Sequence, residues 1–176
     1  YPEDMRGILE KVYQSPGFLM SFQPYALAKQ ALESMTEAGL DVWICTSPNI
    51  YSDWNIQENL LWIKEYLGID WAKKLILTKN KSMIIGDVLI DDKPVISGFM
   101  DPTWIQVVAD QPYNSVKLCP QLDGLQRIYQ WRNYISALAG VDLDKRLVGP
   151  DGRPFGTEKL VILVDCRLTP SKAHHS

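Results

Sequence analysis

Apolar residues along the chain follow two spacings, which predict alternating helices and strands. An apolar residue at every third or fourth position predicts amphipathic helices at 3–14, 24–38, 54–67 and 125–138. Short apolar runs predict strands at 41–45, 74–78, 88–90 and 104–109. The run at 88–90 has no polar interruption, so that strand is expected to be buried on both faces, and the strand at 41–45 is also expected to be buried. Pro24 is expected to begin the second helix, and Ser52 or Asp53 to cap the third. This alternation indicates an α/β fold, with a right-handed parallel sheet and helices on both of its faces.

Polar side chains stand close to the points where three of these strands end. Thr46 and Ser47 follow the first strand, and Lys81 follows the second. Asp91 and Asp92 follow the third. Open α/β sheets bind ligands at the carboxyl ends of their strands. Hydroxyls and an ammonium are typical of a phosphate site, and paired carboxylates are typical of the Mg²⁺ that accompanies phosphate, so the sequence predicts both at this edge.

Each of these features also has a plainer structural interpretation. A Thr-Ser pair after a strand is typical of a helix cap, and a lone lysine such as Lys81 is typical of a solvated surface charge. Asp91-Asp92-Lys93-Pro94 is good turn chemistry. The site is the preferred interpretation because the three features follow one another at corresponding strand ends.

Composition narrows the classes of function. The 176 residues fit one domain with a sizeable core, since 46% of them are apolar. A formal net charge of −3 disfavours nucleic acid and anionic membranes as partners, and no apolar run approaches the roughly 18 residues of a membrane span. Cys45, Cys119 and Cys166 form no cluster, which indicates reduced thiols in a cytoplasmic protein and neither zinc nor disulfides. The chain starts at Tyr1, which is compatible with a fragment or a processed form.

Several stretches resemble the motifs of one known family. The second, third and fourth motifs of the haloacid dehalogenase (HAD) superfamily phosphatases resemble Ile44-Cys45-Thr46-Ser47-Pro48, Leu77-Thr78-Lys79-Asn80-Lys81 and Leu89-Ile90-Asp91-Asp92-Lys93-Pro94. In detail these variants resemble the 5'(3')-deoxyribonucleotidase family. The end of that family's helical cap resembles Ser15-Pro16-Gly17-Phe18 and Pro24. The segment after its acidic pair resembles Thr103-Trp104 and Pro112-Tyr113-Asn114.

The resemblance implies a three-layer Rossmann-like HAD core with a parallel sheet and a remnant of a small helical cap. It also implies a 5'-nucleotidase-type phosphomonoesterase that uses Mg²⁺. Such an enzyme hydrolyses (deoxy)nucleoside monophosphates to nucleoside and phosphate through an aspartyl-phosphate intermediate. A carboxylate nucleophile divides a difficult displacement into two steps, while Mg²⁺, lysine and hydroxyls neutralise the transferring group.

The resemblance also assigns a role to each matched residue. Asp91 is expected to ligate Mg²⁺, and Asp92 to support the water shell of the metal. Thr46, Ser47 and Lys81 are expected to bind the phosphate, and Lys81 also to pair with the nucleophile. On the cap side, we expect Phe18 and Tyr13 to pack on the base. The alternative is that these two rings are ordinary core packing.

The family's first motif, a strand followed by D-x-D-G-V, supplies the nucleophile and the acid/base, and it does not precede the cap in this sequence. One partial match stands at 159–165, an apolar run that ends at Asp165 and has Arg167 in place of the second aspartate. We therefore predict a circular permutation in which residues 159–165 fill the central position of the sheet, because two buried strand edges would otherwise stay unpaired. Asp165 would then be the nucleophile and a metal ligand. The alternative is an edge strand or the tail of a truncated product.

The predicted organisation has five segments. They are a partial helical cap at 1–23, a HAD-like core at 24–140, a linker at 141–158, a candidate core strand at 159–165 and a disordered tail at 166–176. A phosphatase and a non-catalytic module that binds nucleotide or phosphate both stay open, because the guanidinium of Arg167 cannot transfer a proton. The predicted partner is a nucleoside monophosphate, with no nucleic acid and no membrane, and a homodimer is left open.

Overall fold

The computed structural model describes residues 3–25, 27–96, 98–128 and 161–165. Its helices are α1 (Glu3–Gln14), α2 (Ala28–Glu37), α3 (Asn55–Tyr66) and α4 (Ile69–Ala72). Its strands are β1 (Asp41–Thr46), β2 (Leu75–Leu77), β3 (Val88–Asp91), β4 (Ile105–Ala109), β5 (Arg127–Ile128) and β6 (Val161–Val164). The strands form one parallel sheet in the order β2-β1-β6-β3-β4-β5. The expected α/β architecture is therefore confirmed.

Strand β6 lies in the centre of this sheet, although it comes last in the chain. Val164 pairs in register with Ile44 of β1 on one side and with Ile90 of β3 on the other. Ile162, Leu163 and Val164 are all almost completely buried, as the unbroken apolar run predicts. The central position predicted for 159–165 is confirmed for residues 161–164, while 159 and 160 lie outside the described residues.

Both ends of β6 are fixed to β3 by hydrogen bonds. At the amino end, the Asp87 amide donates to the Val161 carbonyl (2.9 Å), and the Val161 amide donates to Asp87 Oδ2 (2.7 Å). At the carboxyl end, the Asp165 amide donates to the Ile90 carbonyl (2.9 Å). Because Asp87 is buried, its carboxylate is a strong acceptor that fixes where the strand begins. The register in turn places Asp165 directly after the last pair of β6.

The main hydrophobic core combines residues of the sheet with residues of α2 and α3. Leu32 and Met35 of α2 and Trp62 and Ile63 of α3 are almost fully buried in the same cluster as the side chains of β1, β3 and β6. Helix α1 differs, because its apolar residues Met5, Ile8 and Val12 are exposed. Among the described helices, none combines the length and the apolar character that crossing a membrane requires.

Two predicted helix starts are wrong. Helix α2 begins at Ala28 rather than at Pro24, because Leu27 takes a left-handed backbone conformation (φ 69°) that the helix cannot continue through. Helix α3 is preceded by Trp54, and no side chain caps it. The Ser52 hydroxyl instead donates to the Gln14 carbonyl at the end of α1 (3.4 Å).

The predicted helix at 125–138 is wrong where the structure describes it. Arg127 and Ile128 form β5, which pairs with Val108 and Ala109 of β4. The Arg127 Nε donates to Asp110 Oδ1 (2.9 Å), and this ion pair holds the short strand at the sheet edge against its helical pattern. Residues 129–138, the predicted linker and the predicted tail lie outside the described residues.

Candidate active site

Four polar side chains meet at the carboxyl end of the sheet, and we call them the ion-pair centre: Thr46, Lys81, Asp91 and Asp165. The Lys81 ammonium donates to Asp165 Oδ2 (2.8 Å) and to Asp91 Oδ2. The Thr46 hydroxyl donates to the same oxygen of Asp165 (3.2 Å). Lys81 is only 2% exposed and Asp91 is 0% exposed. The structure thus brings together residues that the sequence separates by up to 119 positions.

Lys81 is turned toward this centre by the segment that follows β2. It begins a short 3₁₀ helix, Lys81–Met83, and its carbonyl accepts a hydrogen bond from the Trp104 indole (3.1 Å). The next residue, Ser82, donates to Asn80 Oδ1 (2.7 Å), and the Met100 amide donates to the Ser82 hydroxyl (3.3 Å). These bonds connect the Lys81 turn to the segment that precedes β4.

Burial and charge act against each other on Lys81. Burial alone would lower the pKa of its ammonium, but the charges and hydrogen bonds of Asp165 and Asp91 outweigh burial and raise the pKa above its usual value. Lys81 is therefore charged at neutral pH and neutralises part of the buried negative charge. Nearby, burial raises the pKa of the Cys45 thiol to about 11, so this thiol is protonated at neutral pH.

Asp92 adds a third carboxylate to this edge. Burial raises its pKa to about 6, with further increases from the charges of Asp165 and Asp91, while a hydrogen bond from the Tyr113 hydroxyl acts in the opposite direction. Three carboxylates thus share the edge with one buried ammonium. Repulsion among partly desolvated carboxylates favours a further cation.

This donor set fits Mg²⁺, the metal that the HAD resemblance implies. Carboxylate oxygens are the protein ligands that Mg²⁺ prefers, and it usually keeps several waters while one or two carboxylates and a phosphate complete its shell. Within the described ranges, no three acidic, histidine or cysteine side chains are grouped into a complete metal site. The residues present therefore suit a metal that is shared with water and phosphate.

A cavity of about 210 Å³ connects this edge with residues 13–22, which lie in the segment predicted to be a partial helical cap. Its aromatic wall consists of Tyr13, Phe18 and Phe22, whose rings meet edge to face at centroid distances of 5.0 Å and 4.8 Å. The other lining residues are Leu19, Ser47, Asn49, Asn55, Asp92, Lys93 and Asp165. One cavity therefore contacts a predicted phosphate ligand, two predicted metal-associated carboxylates and both predicted base-packing residues.

The matching family model is described as "5' nucleotidase, deoxy (Pyrimidine), cytosolic type C protein", and it covers residues 1–138. The chain belongs to this nucleotidase family. A putative 5'(3')-deoxyribonucleotidase of Bordetella pertussis is 38% identical over 141 residues, which are 80% of this chain and 72% of that protein. The cytosolic-type human 5'(3')-deoxyribonucleotidase is 29% identical over 73% of this chain and 64% of its own length. The mitochondrial human enzyme is 30% identical over 71% and 56%.

The match to the nucleotidase family ends before β6 begins. Residues 161–165 therefore lie beyond the matched part of the chain, and the sheet pairing is what places Asp165 beside Lys81. Arg167, the residue at the predicted acid/base position, lies outside the described residues.

Sequence reasoning missed two groups of residues near this cavity. Tyr113 and Asn114 hold Asp92: the Tyr113 hydroxyl donates to its carboxylate, and Asn114 Nδ2 donates to its carbonyl (2.8 Å). In the sequence, Pro112-Tyr113-Asn114 showed only a similarity to the family and had no assigned role. Glu58 of α3 accepts hydrogen bonds from the backbone amides of Gly17 and Leu19, and no spacing in the sequence marks such a contact.

Proposed function

We propose that this chain is a magnesium-dependent phosphatase that hydrolyses (deoxy)nucleoside monophosphates to nucleoside and phosphate. Membership of the nucleotidase family makes the chain a hydrolase of the nucleotidase type. The single observation that best supports the finer proposal is the position of Asp165. It contacts Lys81 and Thr46, and it lines the same cavity as the aromatic wall. The names of the related deoxyribonucleotidases support the nucleotide as substrate.

In the proposed reaction, the Asp165 carboxylate attacks the phosphorus of the nucleotide. The bond between phosphorus and the nucleoside oxygen breaks, and that oxygen takes a proton from water. Water then attacks the phosphorus of the aspartyl phosphate and the bond to Asp165 breaks, with its electron pair returning to the carboxylate. The proton that this water loses neutralises the hydroxide left by the first step, and phosphate leaves. Lys81, Thr46 and Ser47 neutralise and orient the phosphoryl oxygens, which is the main way that proteins accelerate phosphoryl transfer.

Mg²⁺ would be held by Asp91 and Asp165, with Asp92 supporting its water shell. The metal would supply positive charge that compensates the phosphate as charge shifts during the transfer.

Turnover by this chain is expected to be slow. Arg167 stands two residues after Asp165, where the resemblance places the acid/base, and its guanidinium stays charged and cannot transfer a proton. This residue favours the second candidate function, a module that binds nucleotide without hydrolysing it. A cytoplasmic location and a homodimer stay predictions.

The test is Mg²⁺-dependent release of phosphate from a panel of deoxyribonucleoside and ribonucleoside monophosphates. Asp165→Asn and Asp91→Asn are run beside Asp101→Asn, a matched control on an exposed aspartate. We expect release that requires Mg²⁺, is abolished by the first two substitutions and is unchanged in the control. Binding of nucleotide without release would favour the non-catalytic module, and neither binding nor release would overturn both candidates.

A further inference from the structure

Glu58 is a buried acidic residue of α3 that contacts the cap and takes no part in the ion-pair centre. Glu58 is 8% exposed. Its two side-chain oxygens accept hydrogen bonds from two different backbone amides. Oε1 accepts from Gly17, and Oε2 accepts from Leu19 (3.0 Å). These two amides flank Phe18 in the chain. One carboxylate therefore fixes the backbone on both sides of a residue of the aromatic wall.

Two further residues of α3 hold the same segment. Trp62 Nε1 donates to the Phe22 carbonyl (2.8 Å), and the Tyr66 hydroxyl accepts from Gln23 Nε2 (2.9 Å). Glu58, Trp62 and Tyr66 are spaced by four residues, so they lie along one face of the helix. Among the three, Glu58 alone carries a charge, and hydrogen bonds to a carboxylate are about twice as strong as those between neutral groups.

Phe18 occupies the middle of the aromatic wall. Its ring meets Tyr13 at 5.0 Å and Phe22 at 4.8 Å, in both cases edge to face. A shift of the backbone at Gly17 and Leu19 would therefore move the ring out of the cavity that it shares with Asp165. Aromatic rings bind nucleobases by stacking, which depends on where the ring face lies.

We propose that Glu58 is a positioning residue that sets the affinity for the nucleobase through Phe18. The proposal rests on the proposed function, because it assumes that a nucleotide occupies the cavity. In the described part of the chain, the side-chain hydrogen bonds of Glu58 go to the Gly17 and Leu19 amides rather than to the ion-pair centre, so its removal should weaken recognition of the base and leave recognition of phosphate in place.

The experiment measures the Kd of a pyrimidine deoxyribonucleoside monophosphate and of inorganic phosphate, both with Mg²⁺, by calorimetry on the full chain. Glu58→Gln is compared with Glu65→Gln, a control on an exposed residue of the same helix. We expect Glu58→Gln to raise the nucleotide Kd by about tenfold, while the Kd of phosphate changes by less than about twofold. Glu58→Asp, which keeps the charge on a shorter side chain, provides a second variant, and circular dichroism checks the folding of both.

A double-mutant cycle with Phe18→Leu decides whether Glu58 acts through the ring. If it does, adding Glu58→Gln to Phe18→Leu changes the nucleotide Kd little further. Two outcomes would overturn the inference: the full effect of Glu58→Gln persisting in the Phe18→Leu chain, or an equal loss of affinity for phosphate and nucleotide. Failure of the unsubstituted chain to bind nucleotide would instead overturn the proposed function on which the inference rests.

Discussion

The ion-pair centre and the aromatic wall meet at one cavity, which Asp165 and the aromatic rings both line. The fold nevertheless holds them in place by different means. Lys81, Asp91 and Asp165 stand at the carboxyl end of a parallel sheet, and their side chains are almost completely buried. Strand pairing fixes the backbones of Asp91 and Asp165, and hydrogen bonds from Trp104 and around Ser82 hold the turn of Lys81. The ion pairs between the three side chains are part of the packed interior. Changes at this centre should therefore affect stability and binding together.

The aromatic wall is built from residues 13–22, where much less of the chain is buried. Tyr13 is 43% exposed, and Phe18 lies in a turn that is fixed from α3 by Glu58. Changes here should affect binding with little effect on stability. Under the proposed function, phosphate recognition would be tied to folding, whereas base recognition would depend on a few contacts between α3 and residues 17–23.

The largest effect is expected from removing the ammonium of the ion-pair centre. Lys81→Met leaves two buried carboxylates facing each other without their cation, so we expect a loss of about 3–5 kcal/mol in the free energy of unfolding, together with loss of phosphate binding. Urea unfolding measures the first effect, and calorimetry with inorganic phosphate measures the second. Lys79→Met, on an exposed lysine of the same segment, is the control. A stable Lys81→Met chain that still binds phosphate would break the comparison.

Removing the acceptor that fixes the start of β6 should come next. Asp87→Ala leaves the Val161 amide without its carboxylate acceptor, which costs about 1–3 kcal/mol for a buried donor. Urea unfolding beside Asp101→Ala gives the measurement. Equal stability of the two variants would mean that Asp87 does not hold the strand.

A crowded glycine tests the segment that carries Lys81. A Cβ atom at Gly98 would lie 1.9 Å from Ser82 Oγ and 2.2 Å from Asn80 Oδ1, so Gly98→Ala must displace the turn and should cost about 1–3 kcal/mol. We expect weaker phosphate binding as well, since Lys81 precedes Ser82. Gly7→Ala is the matched control, because a Cβ there meets nothing within 4 Å. Equal thermal stability of Gly98→Ala and Gly7→Ala would contradict the prediction that a side chain at position 98 displaces the Lys81 turn.

The smallest effect on stability is expected at the aromatic wall. Phe18→Leu should weaken nucleotide binding by about tenfold, since stacking on an aromatic ring contributes about 1–3 kcal/mol per base. Its unfolding midpoint in urea should stay close to that of the unsubstituted chain. A large loss of stability would favour the alternative that Phe18 is ordinary core packing.

The sheet could be predicted from sequence because buried parallel strands leave a strong pattern. Val161–Val164 is an unbroken apolar run, and two otherwise unpaired buried edges left one position for it. The helix predicted at 125–138 was wrong at Arg127 because tertiary contacts with Asp110 outweigh a local helical pattern.

Much of the site was predictable for a related reason. Thr46, Lys81 and Asp91 come at or after strand ends, so topology alone brings them to one edge. Their roles came from the family resemblance and stay predictions. Glu58 was not predictable, because its partners are backbone amides about 40 positions away, and every residue except proline carries such an amide.

The most direct test of the central claim, that β6 delivers the nucleophile, is to identify the residue that becomes phosphorylated. The chain is mixed with nucleotide and Mg²⁺, quenched in acid and analysed by mass spectrometry of its peptides, beside Asp165→Asn and the Asp101→Asn control. Because Arg167 should slow the second step, we predict a phosphoryl adduct on the peptide that contains Asp165, absent from Asp165→Asn alone. Release of phosphate with the adduct on another aspartate, or undiminished release by Asp165→Asn, would contradict the claim.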